Sequence, residues 1–182
     1  MKHFLCFIIL LLLAATSCKK EKVNPVDLLP AATQEGRNTF GCLVNGAAFT
    51  PKGSVFSGFG GPIQDCYYQF VRGGFHFHVS ATDKSKGDVI FGVDINTDSL
   101  EIKEGAVISL TKGNRGEASG SYIDGSVYKE YRTSYGATGE LTITRLDEEK
   151  QIVSGTFWFD AVNKEGAKVE VREGRFDMKY HK

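Results

Sequence analysis

Apolar and polar residues alternate through most of the chain after Thr39. Apolar residues that recur at every second position mark strands with one buried face. The clearest stripes are Phe75, Phe77 and Val79; Val89, Phe91, Val93 and Ile95; and Phe157, Phe159 and Ala161. No long window after Glu35 repeats with the period of a helix. The pattern therefore predicts an all-β body.

Turn signals divide these stripes into hairpins. Asn45-Gly46 separates two short apolar segments, and both residue types tolerate the positive φ of a tight hairpin turn. Asn163-Lys164-Glu165-Gly166 is a second hairpin loop, and Val127 to Tyr135 is predicted as an aromatic-rich strand after the turn at Asp124-Gly125. We expect about nine or ten strands in one domain, residues 37–182, arranged as an antiparallel meander. The meander closes as a barrel or folds as a β-sandwich, and both remain open.

The last strand changes its phase. Val169 and Val171 are odd-numbered, whereas Phe176 and Met178 are even-numbered. A strand with one buried face can shift its apolar positions this way only by adding a residue. We expect a bulge at Glu173-Gly174, with glycine in the left-handed conformation.

The first residues are expected to form an export signal. Residues 4–15 are apolar throughout, which suits a signal peptide and is short for a membrane span. Ala15-Thr16-Ser17-Cys18 resembles the lipobox of bacterial lipoproteins. The resemblance implies that residues 1–17 are a signal peptide and that Cys18 carries the acyl chains of a membrane anchor. Because Lys19 rather than Asp follows Cys18, it also implies the outer membrane. An ordinary secretory signal with a chance cysteine is the alternative.

Residues 18–36 are expected to form the lipidated end and a tether. The segment holds Pro25, Pro30 and several charged residues without a sustained period. Such a coil would have a mean reach of roughly 20–25 Å. The alternative is a docked arm, for which Val26, Leu28 and Leu29 supply the apolar side chains.

Two cysteines remain in the exported body, Cys42 and Cys66. An oxidising compartment permits a disulfide between them, and closing the intervening loop would stabilise the domain by about 3 kcal/mol. Two buried free thiols that pack as small hydrophobic side chains are the alternative.

Several segments together resemble a family of short bacterial lipoproteins, common in gut-dwelling anaerobes, whose all-β domain has no assigned function. The likeness covers roughly residues 36–180 and is carried by Thr39-Phe40-Gly41-Cys42-Leu43-Val44-Asn45-Gly46, by Gly139-Glu140-Leu141-Thr142-Ile143-Thr144-Arg145-Leu146-Asp147, by Ser154-Gly155-Thr156-Phe157-Trp158-Phe159-Asp160-Ala161 and by Gly174-Arg175-Phe176-Asp177. These motifs are structural, so the resemblance transfers no catalytic residue.

The charge balance limits the partners. Lys and Arg number 22 and Asp and Glu also number 22, so the formal net charge is zero. A surface that binds nucleic acid needs an excess of Lys and Arg, and none is expected here. No cofactor motif is present in the sequence.

The strongest metal candidates are His76 and His78. They lie on one face of a predicted strand, and Asp94 or Asp160 on a neighbouring strand is a candidate third ligand. The alternative is a solvent-facing stripe opposite the apolar stripe of Phe75 and Phe77.

Aromatic residues supply a candidate ligand surface. Trp158 lies opposite the Phe157–Phe159 stripe, and Tyr128, Tyr131 and Tyr135 are candidates for the same surface. Burial of Trp158 under a loop or the tether is the alternative. Asp98-Ser99-Leu100 also resembles a short bacterial O-glycosylation sequence, with Ser99 as acceptor.

Three classes of function follow. The first is a non-catalytic binding or accessory module held at the outer membrane, with an envelope protein or a glycan as partner. The second is a structural envelope component without a ligand. The third is a metal-dependent hydrolase built around His76 and His78.

Overall fold

A computed structural model describes residues 23–53, 63–87 and 89–182. Within these ranges the only helix is a 3-10 turn, Pro25–Leu28, so no helix there is long and apolar enough to cross a membrane. The same ranges hold eleven strands: β1 Thr39–Val44, β2 Ala47–Phe49, β3 Gln64–Val71, β4 Gly74–Lys86, β5 Val89–Thr97, β6 Val107–Leu110, β7 Ala118–Asp124, β8 Lys129–Arg132, β9 Gly139–Asp147, β10 Ile152–Val162 and β11 Lys168–Lys179.

The strands form one sheet in the order β2-β1-β11-β10-β9-β6-β7-β5-β4-β3, with β8 pairing both β7 and β10. β8 thereby completes a closed five-stranded barrel of β6, β7, β8, β10 and β9, and the other strands extend outside it. All ladders are antiparallel except the contact between β6 and β7. The all-β prediction is confirmed, and the barrel is the alternative that the structure adopts.

The strand at one edge of the sheet, β3, also contacts the last residues of the chain. Tyr67 on β3 forms a parallel bridge with His181, which follows β11. The Tyr68 amide donates to the His181 carbonyl at 2.9 Å, and the His181 amide donates to the Cys66 carbonyl at 3.0 Å. These bonds pair part of the outer edge of β3 with the residue that follows Tyr180 near the end of the chain.

The core consists of the apolar stripes that the alternation predicted. Phe77 and Phe159 are fully buried, and Phe77 packs against Phe176 from β11 with ring centroids 6.0 Å apart. Cys42 and Cys66 are both buried in this core and both are free thiols. The structure thus has the alternative, two buried free thiols, and not the predicted disulfide. Burial raises the pKa of each thiol.

The predicted bulge is found in β11. Phe157 pairs with Gly174 whereas Phe159 pairs with Val171, so Arg172 and Glu173 together oppose one residue of β10. The left-handed residue is Glu173, with φ of 54°, and not Gly174. Gly174 is needed for a different reason: a Cβ there would lie 2.6 Å from Cζ of Phe157. The bulge therefore preserves burial of both halves of β11 and brings the backbone against an aromatic ring.

The predicted strand from Val127 to Tyr135 is shorter than expected. Only Lys129–Arg132 forms β8, because Tyr128 has φ of 52° and Tyr135 lies in a tight turn closed by a bond from the Ser134 amide to the Ala137 carbonyl.

The described part of the predicted tether is a docked arm. The carboxylate of Asp177 on β11 accepts bonds from Thr33 Oγ1 at 2.6 Å and from the amides of Glu35, Gly36 and Arg37 at 3.0, 2.7 and 3.2 Å. Ser154 on β10 donates to the same carboxylate at 2.8 Å. Asp177 faces outward from the sheet, yet its exposure is 0%. Over residues 23–36 the expectation of a coil is therefore corrected to the alternative, a docked arm, because this carboxylate binds the backbone of residues 35–37.

Further contacts hold the arm along its length. Pro30 lies against Gly41 of β1, where a Cβ would come within 2.5 Å of the proline Cδ. Gly36 lies against Ile152, and Arg145 of β9 donates to the carbonyl of Gln34. The arm consequently crosses the outer face of β9, β10 and β11.

The close approach of Gly174 gives a first prediction. Gly174→Ala should lower the free energy of unfolding by about 1–3 kcal/mol, because the added methyl group overlaps the buried Phe157 ring. Urea unfolding followed by the emission of Trp158 measures this change. Gly136→Ala is the control: nothing lies within 4 Å of a Cβ there. The control should be unchanged or stabilised by up to about 1 kcal/mol, and equal behaviour of the two variants would contradict the close approach.

The docked arm gives a second prediction, on pH dependence. Burial alone would raise the pKa of Asp177, but the bonds from Thr33, Glu35, Gly36 and Ser154 outweigh it and lower the pKa from 3.8 to about 2. A carboxyl group with a depressed pKa stabilises the fold above about pH 4, and this contribution is lost as the pH falls toward 2. Asp177→Asn should therefore cost about 2 kcal/mol at pH 7, with a cost that shrinks between pH 4 and pH 2.

Urea unfolding of the wild type and the variant at pH 7, 4 and 2.5 measures the cost of Asp177→Asn. Asp27→Asn, on the exposed side of the 3-10 turn, is the control and should follow the wild type at each pH. A cost that stays constant down to pH 2.5 would show that the carboxylate does not hold the arm through its charge.

Candidate functional site

Trp158 lies on the outer face of β10. Phe157 and Phe159 point into the core, whereas Thr156 and Trp158 point outward, as the alternation requires. The Trp158 side chain is 40% exposed, although large apolar side chains on this strand are otherwise buried. It is also the only tryptophan of the chain.

Trp158 forms one end of a shallow groove of about 480 Å³. Two cross-strand rows make its floor. Glu140 of β9 lies opposite Trp158, and Thr142 of β9 and Arg175 of β11 lie on either side of Thr156. The volume is within the range of small-molecule sites.

The bulge in β11 shapes the side of the groove next to Trp158. Because two residues of β11 oppose Trp158, Arg172 and Glu173 both line the cavity. The guanidinium carbon of Arg172 lies 5.4 Å from the centroid of the indole ring, in a cation–π contact. Arg172 also donates to the Phe159 carbonyl at 3.0 Å and to Asp160 Oδ1 at 2.6 Å. These bonds hold the guanidinium in place and restrict the indole ring.

Asp160, beside the indole ring, forms ion pairs with two cationic side chains. Lys168 Nζ lies 2.9 Å from Asp160 Oδ2, so Asp160 binds a cation on each of its oxygens. Burial would raise the pKa of Asp160, but the bonds from Lys168 and Arg172 outweigh it and lower the pKa. Arg175 pairs with Glu173 at 3.1 Å. The arginines that line the groove are therefore neutralised by carboxylates, and the groove has little excess charge.

The docked arm is the other wall of the groove. Ala32, directly before the residues bound by Asp177, lines the cavity. An indole face, two threonine hydroxyl groups and paired charges are thus presented between the arm and β11. This set of groups is suited to binding a small polar ligand with an apolar face.

The four aromatic residues predicted as one surface do not come together. Tyr131 is buried in the core with 9% exposure and packs against Tyr122, so the prediction that it lies on the surface is wrong. Tyr128 is 94% exposed but lines a different cavity. The hydroxyl group of Tyr135 donates to Glu117 Oε1 at 2.8 Å, on a separate loop. Of these four residues only Trp158 lines the groove. Tyr131 points into the core because it has the inward phase of β8.

His76 and His78 share the outer face of β4, as the alternation predicts. His78 Nδ1 lies 2.6 Å from Asn96 Oδ1, and His76 Nδ1 lies 3.7 Å from Asp98 Oδ1. The described residues contain no group of three His, Cys, Asp or Glu side chains placed to hold a metal ion. Each histidine therefore has its own partner, Asn96 on β5 for His78 and Asp98 in the turn after β5 for His76.

The two candidate third ligands, Asp94 and Asp160, lie beside different partners. Asp94 on β5 lies opposite Ser80 on β4, and burial raises the pKa of Asp94. Asp160 is bound to Arg172 and Lys168 beside Trp158. The structure does not bring the two aspartates and two histidines into one cluster.

Two other predicted sites can be located. Ser99 lies in the turn after β5 with φ of 54°, and its hydroxyl group donates to Asp98 Oδ1 at 2.9 Å. Cys18 and the signal residues 1–17 lie outside the described residues. Their predictions stay predictions.

Sequence reasoning missed the partners of Trp158. Arg172 and Glu173 reach the groove only because of the bulge, and the phase change in β11 was the available signal. Asp177 was visible only as an outward polar position, and nothing in the local sequence indicates that the arm covers it.

Comparison with protein families shows what the chain is related to. The family described as "Domain of unknown function (DUF6252)" matches residues 77–178, which is more than half of the chain, so the chain belongs to that family. The matched segment covers most of β4 through most of β11 and includes Trp158 with its partners. The comparisons with curated proteins and with solved structures found no match.

Proposed function

We propose that this member of the DUF6252 family is an outer-membrane lipoprotein whose barrel is a non-catalytic binding module, with a neutral saccharide as its ligand in the groove at Trp158. The observation that carries the proposal is a partly exposed tryptophan, 40% exposed, in a groove of about 480 Å³ on a rigid strand. Burying the large apolar area of a tryptophan stabilises a fold, so a partly exposed tryptophan beside a cavity favours a ligand contact.

A saccharide fits the groove better than a charged or wholly apolar ligand. The apolar face of a sugar ring packs on a flat aromatic ring, and its hydroxyl groups bond to side chains such as Thr142, Thr156 and Glu140. Paired charges around Arg172 and Arg175 favour a ligand without net charge. These side chains lie on strands, which hold their geometry when a ligand binds.

The anchor part of the proposal rests on the lipobox resemblance of Ala15-Thr16-Ser17-Cys18. The docked arm adds a geometric consequence. The 3-10 turn begins at Pro25, so only residues 19–24 separate Cys18 from the docked arm. Six residues span at most about 20 Å, so an acylated Cys18 would hold the groove close to the lipid surface.

Ligand binding is tested with Trp158, whose emission reports on the groove alone. We expect neutral oligosaccharides from a panel to shift this emission, and Trp158→Ala to weaken binding at least tenfold by calorimetry, because the aromatic contact carries much of the affinity. Phe70→Ala removes an exposed aromatic side chain of β3, away from the groove, and should leave binding unchanged. If no saccharide binds, and cross-linking in cells recovers a single envelope protein at Trp158, the saccharide proposal is wrong.

The anchor is tested by metabolic labelling with a palmitate analogue in a Gram-negative host. We expect Cys18→Ser to lose the label and to leave the detergent phase, since its thiol carries the acyl chains. Cys6→Ser is the control, because Cys6 lies within the signal peptide and should not change labelling. An unacylated amino terminus on the mature wild-type protein would refute the anchor.

A further inference from the structure

We infer that a second cavity, next to Tyr128, binds the carboxylate of an acidic saccharide. This site is separate from the groove at Trp158 and does not depend on the proposed function. The cavity has a volume of about 550 Å³ and lies between the turn before β8 and the hairpin loop that joins β10 to β11.

The first argument is charge. The lining contains four cationic side chains and two carboxylates: Lys112, Lys129, Arg132 and Lys164, with Glu130 and Glu165. The chain as a whole has no net charge, so this excess of two positive charges is local. Clustered positive charge in a concave site attracts anionic ligands.

The carboxylates in the cavity are already paired. Glu165 lies 3.3 Å from Lys129, and Glu130 lies 2.7 Å from Arg132. Lys112 and Lys164 form no ion pair with the residues that the structure describes. These two ammonium groups are therefore the ones available to an anion.

The second argument is an unpartnered amide group. Asn163 is 9% exposed and lines the cavity, and its Oδ1 accepts from the amides of Glu165 at 3.1 Å and Ala167 at 2.8 Å. These two donors fix the orientation of the side-chain amide. Its Nδ2 is buried and has no hydrogen-bond partner among the described residues.

A buried donor without a partner is destabilising, by about 1–3 kcal/mol, and an acceptor that reaches it removes that cost. The amide donor of Asn163 thus favours an oxygen acceptor, and the charge of the lining makes a carboxylate the favoured one.

The third argument is the exposed aromatic ring at the rim. Tyr128 is 94% exposed, and Asp124 Oδ1 fixes the preceding turn by accepting from the Ser126 amide at 3.0 Å. The backbone of Tyr128 has φ of 52°, a conformation that tyrosine seldom adopts. Tyr128 lines the cavity, and a flat ring beside a cationic cavity suits a sugar ring that carries a carboxylate.

The test uses the full-length protein purified in detergent and calorimetry at physiological salt. The probes are a galacturonate trisaccharide, the neutral galactose trisaccharide of the same linkage, and inorganic sulfate. We expect the acidic trisaccharide to bind at least tenfold more tightly than either of the others. Equal binding of the neutral sugar overturns the role of the carboxylate, and equal binding of sulfate overturns the role of the sugar.

Asn163→Asp is the decisive variant. It keeps the oxygen that accepts from Glu165 and Ala167 and replaces the unpartnered donor by an acceptor, so it should fold and lose at least tenfold in affinity. Asn45→Asp is the matched control: Asn45 also lies in a turn, its Oδ1 accepts from the Glu170 amide at 2.9 Å, and it is not in the cavity. Unchanged affinity in Asn163→Asp would overturn the inference.

Two further variants keep the inference testable if Asn163→Asp folds poorly. Lys164→Gln should weaken binding severalfold and reduce its salt dependence, and Tyr128→Ser should weaken the saccharide more than sulfate. Trp158→Ala should leave the acidic trisaccharide unaffected, which separates this site from the groove. If Trp158→Ala loses binding of the acidic trisaccharide, or if Lys164→Gln binds it as tightly as the wild type, the inference about the second cavity is wrong.

Discussion

The buried carboxylate of Asp177 organises the outer surface of this protein. It accepts hydrogen bonds from the arm and from Ser154. Among the described residues of β11, it is the only charged side chain that is buried. A carboxylate can be buried at this position only because several donors replace its hydration. The arm is fixed by that requirement, and the wall of the groove at Ala32 follows from it.

The bulge in β11 has the complementary effect on the opposite side of the groove. An extra residue in one strand leaves a side chain unopposed, and here Arg172 and Glu173 share the position opposite Trp158. Arg172 then reaches both the indole ring and Asp160. The same irregularity that keeps two halves of a strand in phase with the core therefore gathers charged groups around an exposed aromatic ring.

Two cavities with different chemistry lie along the outer face of one strand. Trp158 and Val162 both point outward from β10, four residues apart, which is about 13 Å along a strand. Charges are paired around Trp158, whereas positive charge and an unpartnered amide donor collect near Val162. The strand thus presents a neutral groove and a cationic cavity to the same side of the molecule.

The sequence by itself determined the β architecture, the stripes of Phe77 and Phe159 in the core and the position of the bulge, because period-two burial and phase are local properties of a strand. It did not decide between barrel and sandwich, which depends on pairing of β8 with β7 and β10. The sequence also did not indicate that the arm binds Asp177, that Tyr128 and Trp158 line different cavities, or that Asn163 Nδ2 has no partner among the described residues. Each of these depends on contacts between residues distant in the chain, and only the tertiary structure brings those residues together.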